Sequence, residues 1–273
     1  MSDARADARR PLGDISGGLS RDGRWSPWPV PIVLATTPST MSEAGARAAE
    51  GSPEGTVVIA EEQTAGRGRA GREWQSKPFA GLWLTIVLRP TADPASLGWL
   101  PLITGIAAVR SIGEQTGLDV RLKWPNDIGA ESDAGLLKVG GILAERLADG
   151  AVLIGIGINV DHDADELPDG GTSLRLLEAG DGLTASRESL VVELLGALAT
   201  DYRGWQSGID PAAAYLDLCV TVGSDVRVEA PGRTLEGIAT GLGRHGELLV
   251  TDRSGPGHVI SAGDVLLVRP AIR

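Results

Sequence analysis

The chain predicts an α+β fold: a mixed or antiparallel sheet carrying helices, followed by a small domain of short strands. Two observations point there. β-rich runs recur through the first two-thirds and are linked mostly by hairpin-type turns, not by repeated βαβ crossovers. From about Val222 the texture changes to short strands between Gly-rich turns, the spacing of a small barrel-like β domain. With 273 residues, 42% of them hydrophobic, there is material for one large domain and a small one. The divisions read as a disordered tail over 1–29, a main domain over 30–221 and a C-terminal domain over 222–273.

The elements follow in order. Residues 1–29 mix Arg, Asp, Gly, Ser and Pro without a sustained apolar period. Pro31–Thr37 reads as a strand, and Thr40-Met41-Ser42-Glu43 as a capping box before an Ala-rich helix. Thr56–Glu61 and Leu82–Leu88 are strands, Gly98–Thr116 a buried helix, and Val120–Trp124 a strand entering the Pro125-Asn126-Asp127 turn. Lys138–Leu147 and Ala151–Val160 form a hairpin about Ala-Asp-Gly. Asp161–Gly171 is an acidic loop, and 185–218 carries helical periodicity. Ser224–Glu229, Leu235–Leu242, Glu247–Thr251 and Val259–Val268 are the strands of the last domain.

Composition narrows the function. The apolar runs are short for a bilayer, and no N-terminal apolar stretch resembles a signal peptide. The single cysteine, Cys219, excludes an internal disulfide and a cysteine-built metal site. A cytoplasmic protein without membrane or DNA partners is expected. The formal charge of −11 disfavours wholesale nucleic-acid binding. The basic residues comprise three lysines, Lys77, Lys123 and Lys138, against 22 arginines. A chain that uses arginine so freely keeps lysine where a compact ammonium is needed, or by chance survival.

The segment most informative for function is Gln63-Thr-Ala-Gly-Arg-Gly-Arg-Ala-Gly-Arg-Glu-Trp74. Gly66, Gly68 and Gly71 allow close backbone approach, while Arg67, Arg69 and Arg72 offer planar donor forks for phosphate or carboxylate. The bland readings are a flexible basic linker or a strip for single-stranded nucleic acid, and the net charge weakens the second. Trp74 either covers a base or anchors the loop in the core.

Four segments, in order, resemble the biotin–protein ligase family: Pro38-Ser39-Thr40, the 63–74 loop, Lys123-Trp124-Pro125-Asn126-Asp127 and Lys138-Val139-Gly140-Gly141-Ile142-Leu143. The resemblance runs from about residue 30 onward. It implies a class II synthetase-like catalytic domain, an SH3-like C-terminal domain, and ATP-dependent transfer of biotin to a lysine of a biotin carboxyl carrier domain, by a monomer or homodimer. ATP and Mg²⁺ are the implied cofactors, with biotin as substrate. Lys138, Arg67 and Arg69 carry the chemistry. Biotin is met by Ser39, Thr40, Met41, Gln63, Gly66, Arg67, Gly68, Arg69, Trp83, Lys138, Gly140 and Gly141. The nucleotide is met by Arg67, Arg69, Arg72, Trp74, Lys123, Asn126, Asp127, Lys138 and Asn159, with Asp127 as a magnesium ligand. Met41 departs from the family, which usually has Asn there. Glu131-Ser132-Asp133-Ala134 reads as an inserted surface loop.

Alternatives stand beside these roles. Ser39 and Thr40 are also good helix caps, Gly140 and Gly141 suit a β-bulge, and Asp127 suits a structural turn paired with arginine. At the level of the whole chain the competitors are a lipoate or octanoyl ligase of the same fold, a biotin-responsive repressor and a non-catalytic binding module. The 29 residues before the main domain are too few for a winged DNA-binding domain, so a ligase without DNA binding is expected.

Overall fold

The computed structural model describes residues 9–133, 135–178, 185–230 and 233–267. Residues 1–8 of the expected tail, Ala134 of the expected insertion and Val268 of the last expected strand lie outside them.

The main body is a seven-stranded sheet. Its strands are β1 (Ile32–Leu34), β2 (Val57–Ala60), β3 (Gly81–Leu88), β4 (Arg121–Lys123), β5 (Asp127–Ser132), β6 (Gly135–Arg146) and β7 (Val152–Asn159). Their spatial order is β1-β2-β3-β7-β6-β5-β4, with β1 and β2 parallel and every other pair antiparallel. The expected mixed, hairpin-linked sheet is therefore present. Glu131 and Ser132, the first two residues of the expected inserted loop, are strand residues of β5 paired with Leu136 and Gly135.

Alternation along β7 explains how one sheet serves two purposes. Ile154, Ile156 and Ile158 point into the main core, while Gly155, Gly157 and Asn159 occupy the opposite face. Helices α3 (Trp99–Thr116) and α5 (Arg187–Gln206) cover the core face. Helix α2 (Thr40–Ala49) covers part of the other face through Met41, Ala44 and Ala48, which pack on Val58, Val87 and Leu153. The glycine-bearing part of that face is left for a cleft. The helical stretch Pro94–Thr116, most of it α3, is the one described segment long and apolar enough to cross a membrane, contrary to the expectation that no run would suffice. Two-thirds of its apolar window is buried inside the protein, where it serves as the core helix.

Two expectations are corrected near the N-terminus. Residues 9–29 are not a disordered tail: α1 (Ser16–Asp22) packs against α5, and Ile15, Leu19 and Trp25 are each no more than 4% exposed. A Cβ on Gly18 would lie 2.7 Å from Val192 Cγ2, so glycine is what lets the helices meet so closely. Arg203 locks the following turn by donating to the carbonyls of Arg24 (2.6 Å) and Ser26 (2.8 Å). The capping box is also absent. The residue at the N-cap of α2 is Ser39, Thr40 uses its hydroxyl toward Gln63 and Thr85, and Glu43 pairs with Arg47.

After α4 (Leu174–Leu177), α5 and α6 (Ala212–Leu218) comes a five-stranded antiparallel sheet, ordered β11-β10-β9-β8-β12. Its strands are β8 (Asp225–Ala230), β9 (Arg233–Leu242), β10 (Leu248–Asp252), β11 (Gly257–Ile260) and β12 (Asp264–Leu267). The single strand expected over Val259–Val268 is two strands broken by a turn at 261–263. Trp99 and Trp124 dock this domain by donating their indole N–H groups to the carbonyls of Arg244 (2.9 Å) and Gly246 (3.0 Å).

Candidate active site

The cleft floor is backbone. Gly141 on β6 and Gly155 and Gly157 on β7 line a cavity of about 450 Å³ beneath the Gly/Arg segment. A Cβ on Gly157 would sit 2.7 Å from Trp74 Cε2, so the indole of Trp74 lies directly on the strand. Gly155 and Gly157 were not singled out from the sequence. Their signal was available in the strict alternation of glycine and isoleucine from Ile154 to Ile158.

A β-bulge aims Lys138 at this floor. Ile128 pairs with Gly140 and Gly129 with Lys138, which leaves Val139 as the extra residue. Regular alternation would have placed Lys138 on the same face as core residue Ile142. The bulge reverses that, burying Val139 in the core and setting Lys138 Nζ 3.4 Å from where a Gly141 Cβ would be. The ammonium is held by Asp127 Oδ1 at 2.5 Å and lies 5.4 Å from the Trp74 ring centroid. Lys123 Nζ faces the other Asp127 oxygen at 3.8 Å.

The segment over the floor folds as a tight hairpin. Trp74 N donates to Gly66 O at 2.9 Å and Gly68 N to Arg72 O at 2.7 Å, with Ala70 and Gly71 both at positive φ at the tip. Its arginines fan outward. Arg67 reaches Glu145 (2.5 Å), Arg69 donates to Asn126 Oδ1 (2.8 Å) and Arg72 reaches Asp264 (3.0 Å) in the C-terminal domain. A broader cleft of about 860 Å³ lies outside the hairpin, between it and the C-terminal domain.

At the other end of the floor, Gln63 organises polar groups. Its Oε1 accepts from Thr40 N (2.8 Å) and Thr40 Oγ1 (3.1 Å), and its Nε2 donates to Ser76 Oγ (2.8 Å). Gln63 thus supplies the cap that α2 lacks. Asn159 donates to Thr172 O at 3.0 Å. Ser39 Oγ, Trp74 Nε1 and His162 Nδ1 are buried on the cavity wall without a hydrogen-bond partner among the described residues, as is Trp83 Nε1 behind them. Buried polar atoms of this kind suit a ligand carrying its own donors and acceptors. Burial pushes His162 down to about 4, so its imidazole is neutral at pH 7.

The structure brings most of the expected residues to one cavity: Ser39, Thr40, Met41, Gln63, Arg67, Gly68, Arg69, Arg72, Trp74, Lys123, Asn126, Asp127, Lys138, Gly141 and Asn159 all line it. Three stand apart. Gly140 faces away from the cleft, where a Cβ would meet Gly157 O at 2.6 Å and Ile128 at 3.5 Å. Gly66 lines the outer cleft, and Trp83 is buried edge-to-face behind Trp74 with 6.2 Å between ring centroids. Asp127 does not fit the expected magnesium role, because both its oxygens face ammonium groups. Among the described residues no three His, Cys, Asp or Glu side chains form a metal-binding group.

A model of the Biotin/lipoate A/B protein ligase family matches residues 33–163, and one of the Biotin protein ligase C terminal domain matches 221–268. The biotin–[acetyl-CoA-carboxylase] ligase of Mycobacterium tuberculosis is 37% identical over 269 residues, which cover 96% of this chain and 97% of that one. The bifunctional ligase/repressor BirA of Bacillus subtilis is 32% identical over 237 residues, 84% of this chain and 71% of that one. The solved structure of biotin protein ligase from Aquifex aeolicus in complex with biotin and ATP has a TM-score of 0.74 at 27% identity, covering 88% of this chain and 99% of that one.

Proposed function

The chain belongs to the biotin–protein ligases of the biotin/lipoate A/B protein ligase family, and we propose that its cleft joins biotin to ATP and delivers the biotinyl group to a lysine of a biotin carboxyl carrier domain. In the first step a biotin carboxylate oxygen attacks the α-phosphorus. The bond from that phosphorus to the β-bridging oxygen breaks, and pyrophosphate leaves with the electron pair. In the second step the carrier amine attacks the acyl carbon, loses its proton, and AMP departs. Magnesium enters with the nucleotide as MgATP.

The observation that carries this reading is Lys138. A compact ammonium is fixed on a glycine floor, under an indole, by a carboxylate 2.5 Å away. Two anions must approach each other in the first step, and an ammonium set in advance opposes their repulsion without reorganising. Arg67 and Arg69 line the cavity, and on this reading phosphates replace Glu145 and Asn126 as their partners. The hairpin that carries them closes over a mixed anhydride that water would destroy. Ser39 and the Thr40–Gln63 pair present polar atoms for the ureido ring, and Asn159, lining the same cavity, is assigned to the nucleotide.

Pyrophosphate release tests this, with biotin and lipoate supplied separately to wild type and Lys138→Ala. Biotin-dependent release is expected. An ammonium–phosphate contact near 4 Å contributes about 4 kcal/mol at an effective dielectric of 20, so Lys138→Ala should lose on the order of 10³-fold. Release with lipoate alone would transfer the chain to the other branch of the family. Silence with both would end the adenylation reading.

A further inference from the structure

The N-terminal segment, expected from the sequence to be a disordered tail, reaches the wall of the cleft. Arg9 is the contact, with a side chain only 5% exposed. It grips Glu166 with both terminal nitrogens, at 3.0 and 2.5 Å, and donates to Asp161 O at 2.5 Å. Its guanidinium also stands 3.6 Å from Asp161 Oδ2 and 3.8 Å from Asp163 Oδ2. Arg175 holds the same acidic loop from the other side, through Asp161 (2.8 Å), Asp163 and the carbonyl of His162.

The loop so held is part of the active site. His162 and residues 166–171 line the cleft. Lys138 N donates to Gly170 O at 2.7 Å, and Thr172 N donates back to Lys138 O at 2.8 Å. The end of the loop thus zips directly onto the backbone of the site lysine. The strap is itself anchored independently of Arg9. Leu12 N donates to buried Glu61, whose other oxygen pairs with Arg187 at 2.7 Å, and Trp25 sits in the core.

Resting on the ligase reading above, we infer that Arg9 is a positioning residue for adenylation. It fixes the 161–171 wall against Lys138 and offsets part of that wall's negative charge toward a polyanionic nucleotide. Three carboxylates, Asp161, Asp163 and Glu166, share two arginines there, and Glu166 lines the cavity where phosphate charge must enter. Without Arg9 the excess of these carboxylates over their arginines rises from one to two, and the wall loses its bidentate tie.

The test uses the full chain as wild type, Arg9→Ala, and Arg9→Ala combined with Glu166→Gln. Steady-state pyrophosphate release is measured with ATP and biotin varied in turn. Arg9→Ala should raise KM for ATP about tenfold, the size of one poorly screened charge pair, and less at high salt. KM for biotin should stay within about threefold, since biotin brings one charge where ATP brings several. Adding Glu166→Gln should bring KM for ATP back toward wild type. Hydrogen exchange without substrate should show faster exchange at Lys138 and Thr172 in Arg9→Ala. An unchanged ATP KM, or equal rises for ATP and biotin, overturns the charge role. Unchanged exchange at those amides overturns the positioning role. A wild type that releases no pyrophosphate would defeat the ligase reading, and the exchange measurement would still judge the strap.

Discussion

Gly157→Ala is the sharpest probe of the glycine floor. The added methyl carbon would stand 2.7 Å from Trp74 Cε2, 2.8 Å from Nε1 and 2.9 Å from Cζ2. Ordinary carbon contacts are about 3.5–4.0 Å, so the indole must lift by roughly 1 Å. Trp74 lines the cavity, so lifting the indole off the strand takes up cavity space. Overpacking of this order costs about 1–3 kcal/mol, which corresponds to roughly 5- to 140-fold in affinity. Gly141→Ala places its methyl 3.3 Å from Trp74 Cζ3 and 3.4 Å from Lys138 Nζ, a milder contact. Gly155→Ala meets Met41 Sδ at 2.8 Å, on a flexible thioether chain that can yield. The expected order of damage to biotin and ATP affinity is therefore Gly157, then Gly155 and Gly141 together. Isothermal titration with biotin and a non-hydrolysable ATP analogue reads this, with thermal midpoints alongside. If Gly157→Ala binds both ligands within twofold of wild type at an unchanged midpoint, Trp74 does not rest on the strand and the floor has been misread.

Two further outcomes concern the N-terminal strap. Trp25→Ala should destabilise by about 3–5 kcal/mol in denaturant titration, because the ring is 3% exposed and part of the main core; a loss below 1 kcal/mol would restore the view of residues 9–29 as a loose tail. The Arg9 hydrogen bonds hold the Glu166 carboxyl down to about 2 from its ordinary 4.5. A depressed carboxyl stabilises the fold fully above its ordinary value and loses that contribution as pH falls toward 2. The gap in thermal midpoint between wild type and Arg9→Ala should accordingly narrow from pH 6 to pH 2.5, and a constant gap would sink the pairing.

What the sequence disclosed and what it hid divide along physical lines. Strands β3, β6 and β7 were legible because their apolar residues are dense, and the site motifs because glycine, arginine and lysine are costly to place without cause. The strap was illegible because α1 spends two of its seven residues on glycine and buries one side chain, Leu19, so no helical period shows. Its order comes from tertiary anchors, Ile15 and Trp25, and from arginines whose partners lie far along the chain. The bulge at Val139 was equally hidden, since pairing register belongs to two strands together. The loop arginines were visible, but their unliganded partners, Glu145, Asn126 and Asp264, were not.

The pairing of β3 with β7 has a kinetic consequence. It joins Gly81–Leu88 to Val152–Asn159, segments roughly 70 positions apart, and such closures come late and slowly in folding. Gly157 belongs to that seam, whereas the β6–β7 hairpin beside it is local. A chain emerging from the ribosome therefore holds β1, β2 and β3 with no partner for the β3 edge until roughly 70 more residues have been made. Over that interval an apolar eight-residue strand is open to other chains. The same closure that completes the cleft ends that window.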